Sequence, residues 1–396
     1  MASAGDGIVM VAYTHYPWDP RVRREAETLV RRGHAVTVVC NREPDRPTAE
    51  SIGGVSVVRV PIEIRRGGPL RYLYQYLVFF LLATVAVRRL RPQCMHVHSV
   101  PDFLAFVALG PKLRGIPVTL DLHEALPELI LARFPSSRLA VRLARAAERL
   151  SAGFADRLIV VNDTIRDLVA SRGVSLDRIT VVYNSPDALA GSVTPSDPLH
   201  PIAVLRLVYA GSVDRERDLE TLIRAVAVLR TTTSTALAIY GRAEPRYRAY
   251  LEGLVDGLGL GETVRFGGEL SADRVLSHLM QSDVGVVTYA RNPLTEVALP
   301  NKVFEYVLLD KPLVLPDLRA MRHAFAEAAW FYRPGDPEDL AAKIREATRS
   351  GGASQSRRER ARAVYHATRW EVQAARLAAL YEKAAASADG RAGWSS

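Results

Sequence analysis

One feature limits most strongly what this chain can fold into. Short apolar runs rich in β-branched residues alternate with longer amphipathic stretches along nearly the whole length. In the first half the runs are GIVMVA, AVTVVC, VSVVRV, CMHVH, PVTLDL, RLIVV and ITVVY. In the second they are LRLVYAG, ALAIYG, VRFGG, DVGVVTY, PLVLP and WFYRP. Runs apolar on both faces suit strands buried in parallel sheets, and segments with helical spacing such as RVRREAETLVRRG supply the crossovers. The pattern predicts an α/β protein with two doubly wound, Rossmann-like domains.

At 396 residues the chain exceeds one ordinary core. The richest Pro/Ser/Gly patch between strand-like runs, residues 188–203, marks the break. It gives an N-terminal domain 1–190, a linker 191–203 and a C-terminal domain 204–368, then a helix 369–387 and a disordered tail 388–396. Two such domains are expected to face each other across a cleft at the carboxyl ends of their sheets, where ligands bind in this architecture. The final helix is expected to cross back to the first domain.

The net charge of +9 comes from 47 arginines and five lysines spread through helix-like segments. That spread gives no support to nucleic-acid binding and suits anionic partners such as sugar nucleotides or a membrane surface. Cys40 and Cys94 read as buried thiols in a reducing cytoplasm, without a disulfide framework or a cysteine metal site. The N-terminus lacks the basic start and apolar core of a secretion signal. LVFFLLATVAV (77–87) falls short of the roughly 20 residues a membrane span needs and reads as a buried helix. IRRGGPLRYLYQYLVFF and ARFPSSRLAVRLARAAERLSAGF are basic and amphipathic, which allows peripheral contact with anionic lipid; a solvated basic face is the alternative.

Candidate chemistry concentrates at strand ends. After SDVGVVTY the loop leads to LPNKVFEY, where Pro300 fits the first turn of a helix. Free amides around Leu299, Pro300, Asn301 and Lys302 then make an anion site, with the charge of Lys302 added. Glu305 lies one turn past Asn301 and suits the ribose diol of a nucleoside diphosphate. A capped helix with a solvated Glu305 is the competing reading of the same residues. In LVYAGSVDRERDLE the strand turns at Gly211 and Ser212, where glycine allows close backbone approach. Arg217, or in its place Arg215, is a candidate for the phosphates, and both also read as surface charges. Gly241 repeats the strand–glycine theme. In TLDLHEALPEL, Asp121, His123 and Glu124 stand at a strand end, with His123 suited to a sugar. His96 and His98 share one side of the preceding strand. A metal site from His98, His123 and a carboxylate lacks a recognised ligand signature, and none is assigned. No G-x-G-x-x-G, P-loop or facing carboxylate pair is present, so dinucleotide redox chemistry, ATP hydrolysis and glycoside hydrolysis lose support.

Taken in order and spacing, these segments resemble glycosyltransferase family 4, the retaining GT-B enzymes. DPRVRREAETLVRRGHAVTVVC, TLDLHE, ADRLIVVNDTIRDLV, VVYNSPD, LVYAGSVDRERDLETLIRA, LPNKVFEYVLLDKPLV and GDPEDLAAKI carry the resemblance. It implies transfer of a sugar from a nucleotide-diphosphate donor (UDP-, GDP- or dTDP-linked) with retention, no metal and no further cofactor. It also implies front-face attack as the diphosphate leaves. Glu305 would be the second Glu of the E-x7-E motif, Arg217 would replace the phosphate-binding Lys, His123 would sit beside the anomeric carbon and Asn184 in the interdomain segment. Arg217, Lys302 and His123 are the expected catalytic groups. The acceptor, whether glycan, lipid-linked glycan or small metabolite, is expected against first-domain loops near His15, Tyr16, His98 and Glu124. Three positions depart from the family: Val297 replaces the first motif Glu with Glu296 offset by one, Ser212 replaces an Arg, and Asp310 replaces a Gly. The first two motivate an alternative, a degenerate sugar-nucleotide-binding subunit; a sugar-nucleotide epimerase of the same fold is another.

Overall fold

The computed structural model describes residues 7–65, 67–186, 205–349 and 351–392. The chain forms two compact units, Met1–Asn184 with Glu371–Ser396, and Ser185–Trp370. The expected linker 191–203 lies outside the described residues.

Unit 1 is built on eight strands: β1 (Ile8–Val11), β2 (Val36–Asn41), β3 (Ala49–Ile52), β4 (Val55–Val60), β5 (Cys94–His98), β6 (Val118–Leu122), β7 (Arg157–Val160) and β8 (Ile179–Val181). They form one sheet in the order β3-β4-β2-β1-β5-β6-β7-β8. Pairing is parallel throughout except for the antiparallel edge β3–β4. Strands β1, β2 and β6 are buried along their whole length, as helices on both faces require.

Five helices of this unit matter below: α1 (Pro20–Arg31), α2 (Pro69–Arg89), α3 (Leu109–Leu113), α4 (Leu126–Arg133) and α5 (Arg138–Phe154). The start of α1 is set by Asp19, whose carboxylate accepts from the amides of Arg21 and Val22, and by Pro20 in the first turn. The C-terminal helix Trp370–Ala392 belongs to unit 1. The Oε1 of Gln373 accepts from the Tyr183 amide at 3.1 Å, and the Tyr381 hydroxyl lies 2.6 Å from His96 Nδ1. This helix spans Trp370–Ala392.

Helix α2 corrects one expectation. It is 21 residues long, and its segment Leu70–Arg89 has the length and apolar composition of a membrane span. Only one face is buried, through Gln75, Phe79, Ala83 and Val87. The sequence window 77–87 caught the middle of the helix and missed the exposed side.

Unit 2 holds β9 (Leu205–Ala210), β10 (Thr235–Tyr240), β11 (Val264–Gly268), β12 (Gly285–Val286), β13 (Leu313–Pro316) and β14 (Trp330–Tyr332). They make two parallel ladders, β11-β10-β9 and β12-β13-β14. The ladders meet between β9 and β12, where the Asp283 amide donates to Arg206 O at 2.9 Å. Read across that seam the order is 3-2-1-4-5-6, with its switch point between β9 and β12. One apolar core joins both ladders, including Leu207, Tyr209, Ile239, Val286, Val314 and Tyr332.

Candidate active site

In unit 2 the loops leaving β9 and β12 part at the switch point and frame a cavity of about 350 Å³, within the size range of small-molecule sites. It is lined by Tyr209 near the end of β9, by Gly211, Ser212 and Arg217 from the loop that follows, and by Val287, Thr288 and Tyr289 from the second loop. Leu299, Pro300, Asn301, Lys302 and Glu305 complete it. Two bonds tie the loops together: Thr288 Oγ1 donates to Arg217 O at 2.6 Å, and the Ala290 amide donates to Glu216 O at 3.0 Å.

The helix behind the cavity, Asn301–Leu308, begins one residue after Pro300, which is therefore its cap. No side chain caps this end, so its first amides and the positive end of the helix dipole serve the cavity. Tyr306, fully buried, anchors the helix by donating to Val208 O at 2.7 Å. Lys302 Nζ stands 5.3 Å from the centre of the Tyr209 ring. Burial pulls the Lys302 ammonium below its ordinary range, with Glu305 opposing and Arg217 reinforcing that shift. Burial pushes Glu305 up, with Lys302 opposing, and its Oε2 has no hydrogen-bond partner. Glu305 is thus a half-buried carboxyl at the cavity wall, not the solvated helix residue of the competing reading. Arg217 donates through Nε to Ser212 Oγ at 3.2 Å, lies 4.6 Å from the Tyr289 ring centre and also bonds the Tyr289 hydroxyl.

Three expected donor residues stand elsewhere. The Arg215 guanidinium packs over Tyr247 and Tyr250, at 5.2 and 5.9 Å from their ring centres. Glu296 is held by Arg291 and accepts from the Arg319 amide at 2.9 Å. Gly241 supports the cavity from behind: its φ is +141°, and a Cβ there would fall 1.7 Å from Gly211 O. Val297, at the place of the first motif Glu, is 1% exposed and part of the core.

In unit 1 a buried polar cluster lies at the ends of β5 and β6. Arg21 on α1 grips Asp121 with two parallel bonds, Nε to Oδ2 at 2.8 Å and Nη2 to Oδ1 at 2.7 Å, and donates through Nη1 to Val182 O at 3.0 Å. The same Asp121 Oδ2 lies 3.1 Å from both His98 Nδ1 and His123 Nε2, which are 2.9 Å apart. Burial would raise the Asp121 carboxyl, but Arg21 and then His123 outweigh it and hold it well below the usual range. Burial lowers His96 and His98 and keeps Glu25 protonated well above its ordinary value, against the pull of Arg21. Asp121 and His98 therefore hold the ring of His123, which is 21% exposed and is the partly open member. Glu25, His96, His98 and Asp121 offer ligand atoms within 4.8 Å of one another. Arg21 already neutralises Asp121, and Glu25 favours its neutral form, which disfavours a cation among them.

Of the acceptor-side candidates, Tyr16 and His98 are buried at 0% and 1%, so neither presents a surface. Tyr16 belongs to the core and His98 to the network behind His123. His15 is half-buried with Nε2 unpartnered, Glu124 is exposed, and Asn184 ends unit 1 with Oδ1 unpartnered. Sequence reasoning missed Arg21, Tyr209 and Tyr289. Arg21 and Glu25, spaced i to i+4 on the apolar face of α1, were the available signal.

Two doubly wound units, one with a cationic cavity at its switch point, define a GT-B protein. A Glycosyl transferase 4-like domain matches residues 19–185, and a Glycosyl transferases group 1 domain matches residues 205–350. The chain belongs to the GT-B glycosyltransferases of family 4 and is a glycosyltransferase. No curated protein sequence matches it. Solved structures similar to it include a sucrose-phosphate synthase (tll1590) from Thermosynechococcus elongatus, with 18% identity, TM-score 0.75, and 96% of this chain and 100% of that one covered. Anabaena Alr3699/HepE in complex with UDP has 14% identity, TM-score 0.70 and coverage of 95% and 100%. An α,α-trehalose 6-phosphate synthase from Burkholderia multivorans has 15% identity, TM-score 0.73 and 98% of each chain covered.

Proposed function

We propose that this glycosyltransferase moves a sugar from a nucleoside-diphosphate donor held in the unit 2 cavity, with retention and without a metal. The observation that carries the reading is the cavity's charge. Lys302, Arg217 and an uncapped helix end converge on it, and the one carboxyl, Glu305, is pushed toward its neutral form. Such a site lacks an anion. A diphosphate supplies it, and Glu305 is left to accept from the ribose diol. HepE has been solved with UDP and with UDP-glucose, which makes a UDP-sugar the first donor to try.

Breaking the anomeric C–O bond leaves negative charge on the β-phosphate and an oxocarbenium-like sugar. Lys302 and Arg217 meet that charge where it develops, the service a bound metal gives in other sites. The departing phosphate oxygen takes the acceptor hydroxyl's proton on the same face, so no second carboxylate is needed. His123, its ring held by Asp121 and His98, is assigned to hydrogen-bond the transferred sugar. The acceptor is a glycan, a lipid-linked glycan or a small metabolite. The reading places the protein in the cytoplasm, with peripheral contact to the inner membrane face.

Calorimetric titration with UDP, GDP, dTDP and their glucose conjugates tests the donor, with Glu305→Ala alongside. One nucleotide class binding the protein and losing at least about tenfold in the variant supports the reading. No binding by any of them sinks it. Binding without nucleotide release across an acceptor panel would favour the degenerate subunit.

A further inference from the structure

We propose that unit 1 docks on an anionic phospholipid bilayer through one surface formed by α2, α3 and α5. Twelve of the fifteen large apolar side chains exposed among the described residues fall between Leu70 and Leu150. On α2 they form a stripe: Leu70, Leu73, Leu77, Leu81 and Val85, with Leu70 at 83% and Leu81 at 63% exposed. At 1.5 Å per residue the stripe is about 22 Å long. It lies opposite the buried row Gln75, Phe79, Ala83 and Val87. Soluble proteins rarely leave so much contiguous apolar surface without a partner.

Residues 102–108 place the helices on one side of the unit. Phe103 packs on Phe80 of α2 and Phe106 on Phe154 of α5, with ring centres 6.0 and 4.9 Å apart. Leu113 on α3 and Leu139 and Leu143 on α5 extend the apolar surface at 80%, 68% and 61% exposure. Between these leucines stand Arg138, Arg142, Arg145 and Arg149, all exposed.

Charge decides the occupant. From Arg65 to Phe154 the chain has thirteen arginines and lysines against five carboxylates. Asp102, Asp121, Glu128 and Glu148 are buried, leaving Glu124 as the exposed acid of the span. Exposed leucines rimmed by arginine suit the headgroup region of an anionic bilayer, where apolar side chains enter the acyl boundary and guanidinium groups meet phosphates. A second copy of the same basic face would be repelled. The fully buried Phe79, Ala83 and Val87 tie α2 into the core, so the helix lies on the membrane and does not cross it.

The test is sedimentation of the full chain with vesicles of phosphatidylcholine alone or with about one third phosphatidylglycerol, without nucleotide. Failure of the donor reading leaves this result untouched, and the reverse holds too. Binding is expected on the phosphatidylglycerol vesicles and weakened by salt. Arg142→Glu with Arg149→Glu should lower it by about thirtyfold or more. Leu77→Glu with Leu81→Glu should abolish it, with near-UV circular dichroism as the control for folding. The two pairs sit on different helices, so misfolding of one leaves the other as a test, and the salt series needs no variant. Equal partition to both vesicle types overturns the proposal. So does a lipid-free dimer that the leucine pair dissolves, which would assign the face to a second copy.

Discussion

A Cβ at Gly241 would fall 1.7 Å from the carbonyl oxygen of Gly211. The two glycines end neighbouring strands β10 and β9, and the Gly211 amide donates to Tyr240 O at 2.9 Å. The φ of +141° at Gly241 adds backbone strain for any other residue. Gly241→Ala should cost about 3 kcal/mol or more of stability in chemical unfolding. It should also weaken nucleotide binding, because Gly211 lines the cavity.

Lys302 is the cation set deepest in that cavity, and burial already disfavours its charge. A diphosphate repays that cost only while the ammonium is present. Lys302→Ala should lower kcat/KM for the donor by about a hundredfold to a thousandfold, read as nucleotide release. An unchanged rate would remove Lys302 from the leaving-group site.

Arg21 and Asp121 form a pair with side chains 3% and 0% exposed. Arg21→Met leaves Asp121 charged and buried with its strongest partner gone. A loss of about 3–5 kcal/mol in urea unfolding is expected. His123 loses its fixed support at the same time, so any folded fraction should turn over more slowly.

Asp102 is buried, with both carboxyl oxygens unpartnered. Burial, helped by Glu148, raises its pKa from 3.8 to about 8. Between those values the folded state holds the proton more tightly than the unfolded one. Its contribution to stability is therefore full below about pH 4 and is lost as pH rises toward 8. Asp102→Asn should flatten that part of the stability profile and raise stability most near pH 8, as measured by denaturant midpoints across the range.

Asp310 follows the helix Asn301–Leu308 with φ of +54°, the left-handed turn that usually ends a helix on glycine. Its carboxylate meets Arg362 at 3.0 Å with both side chains about half exposed. Exposed pairs contribute little, whereas the left-handed conformation costs a non-glycine residue about 1 kcal/mol. Asp310→Gly should raise the midpoint of thermal unfolding slightly; a clear drop would mean the ion pair dominates.

The buried parallel strands were legible because each is a compact apolar run. β3 was not, since AESI is short, polar and alternately exposed at a sheet edge. Gly211, Ser212, Arg217, Lys302 and Glu305 could be placed together because strand, turn and helix follow one another locally. Arg21 and Asp121 are 100 residues apart, and no local pattern joins them. Tyr209 and Tyr289 stand near the ends of apolar runs, where nothing in the local pattern sets a cavity-facing ring apart from a core one. The exposed face of α2 was hidden for a different reason: a helix apolar on nearly every side gives no periodic hint of which side is covered.

Under the proposed function, the seam between β9 and β12 would give the donor a second task. The two ladders of unit 2 meet without a shared ladder of their own, and the cavity draws its lining from both sides of that join. A nucleotide seated there would act as a splint across the break. The folded population of unit 2 would then follow the supply of donor, and a cell short of that metabolite would hold not merely an idle enzyme but a looser one, more open to proteolysis.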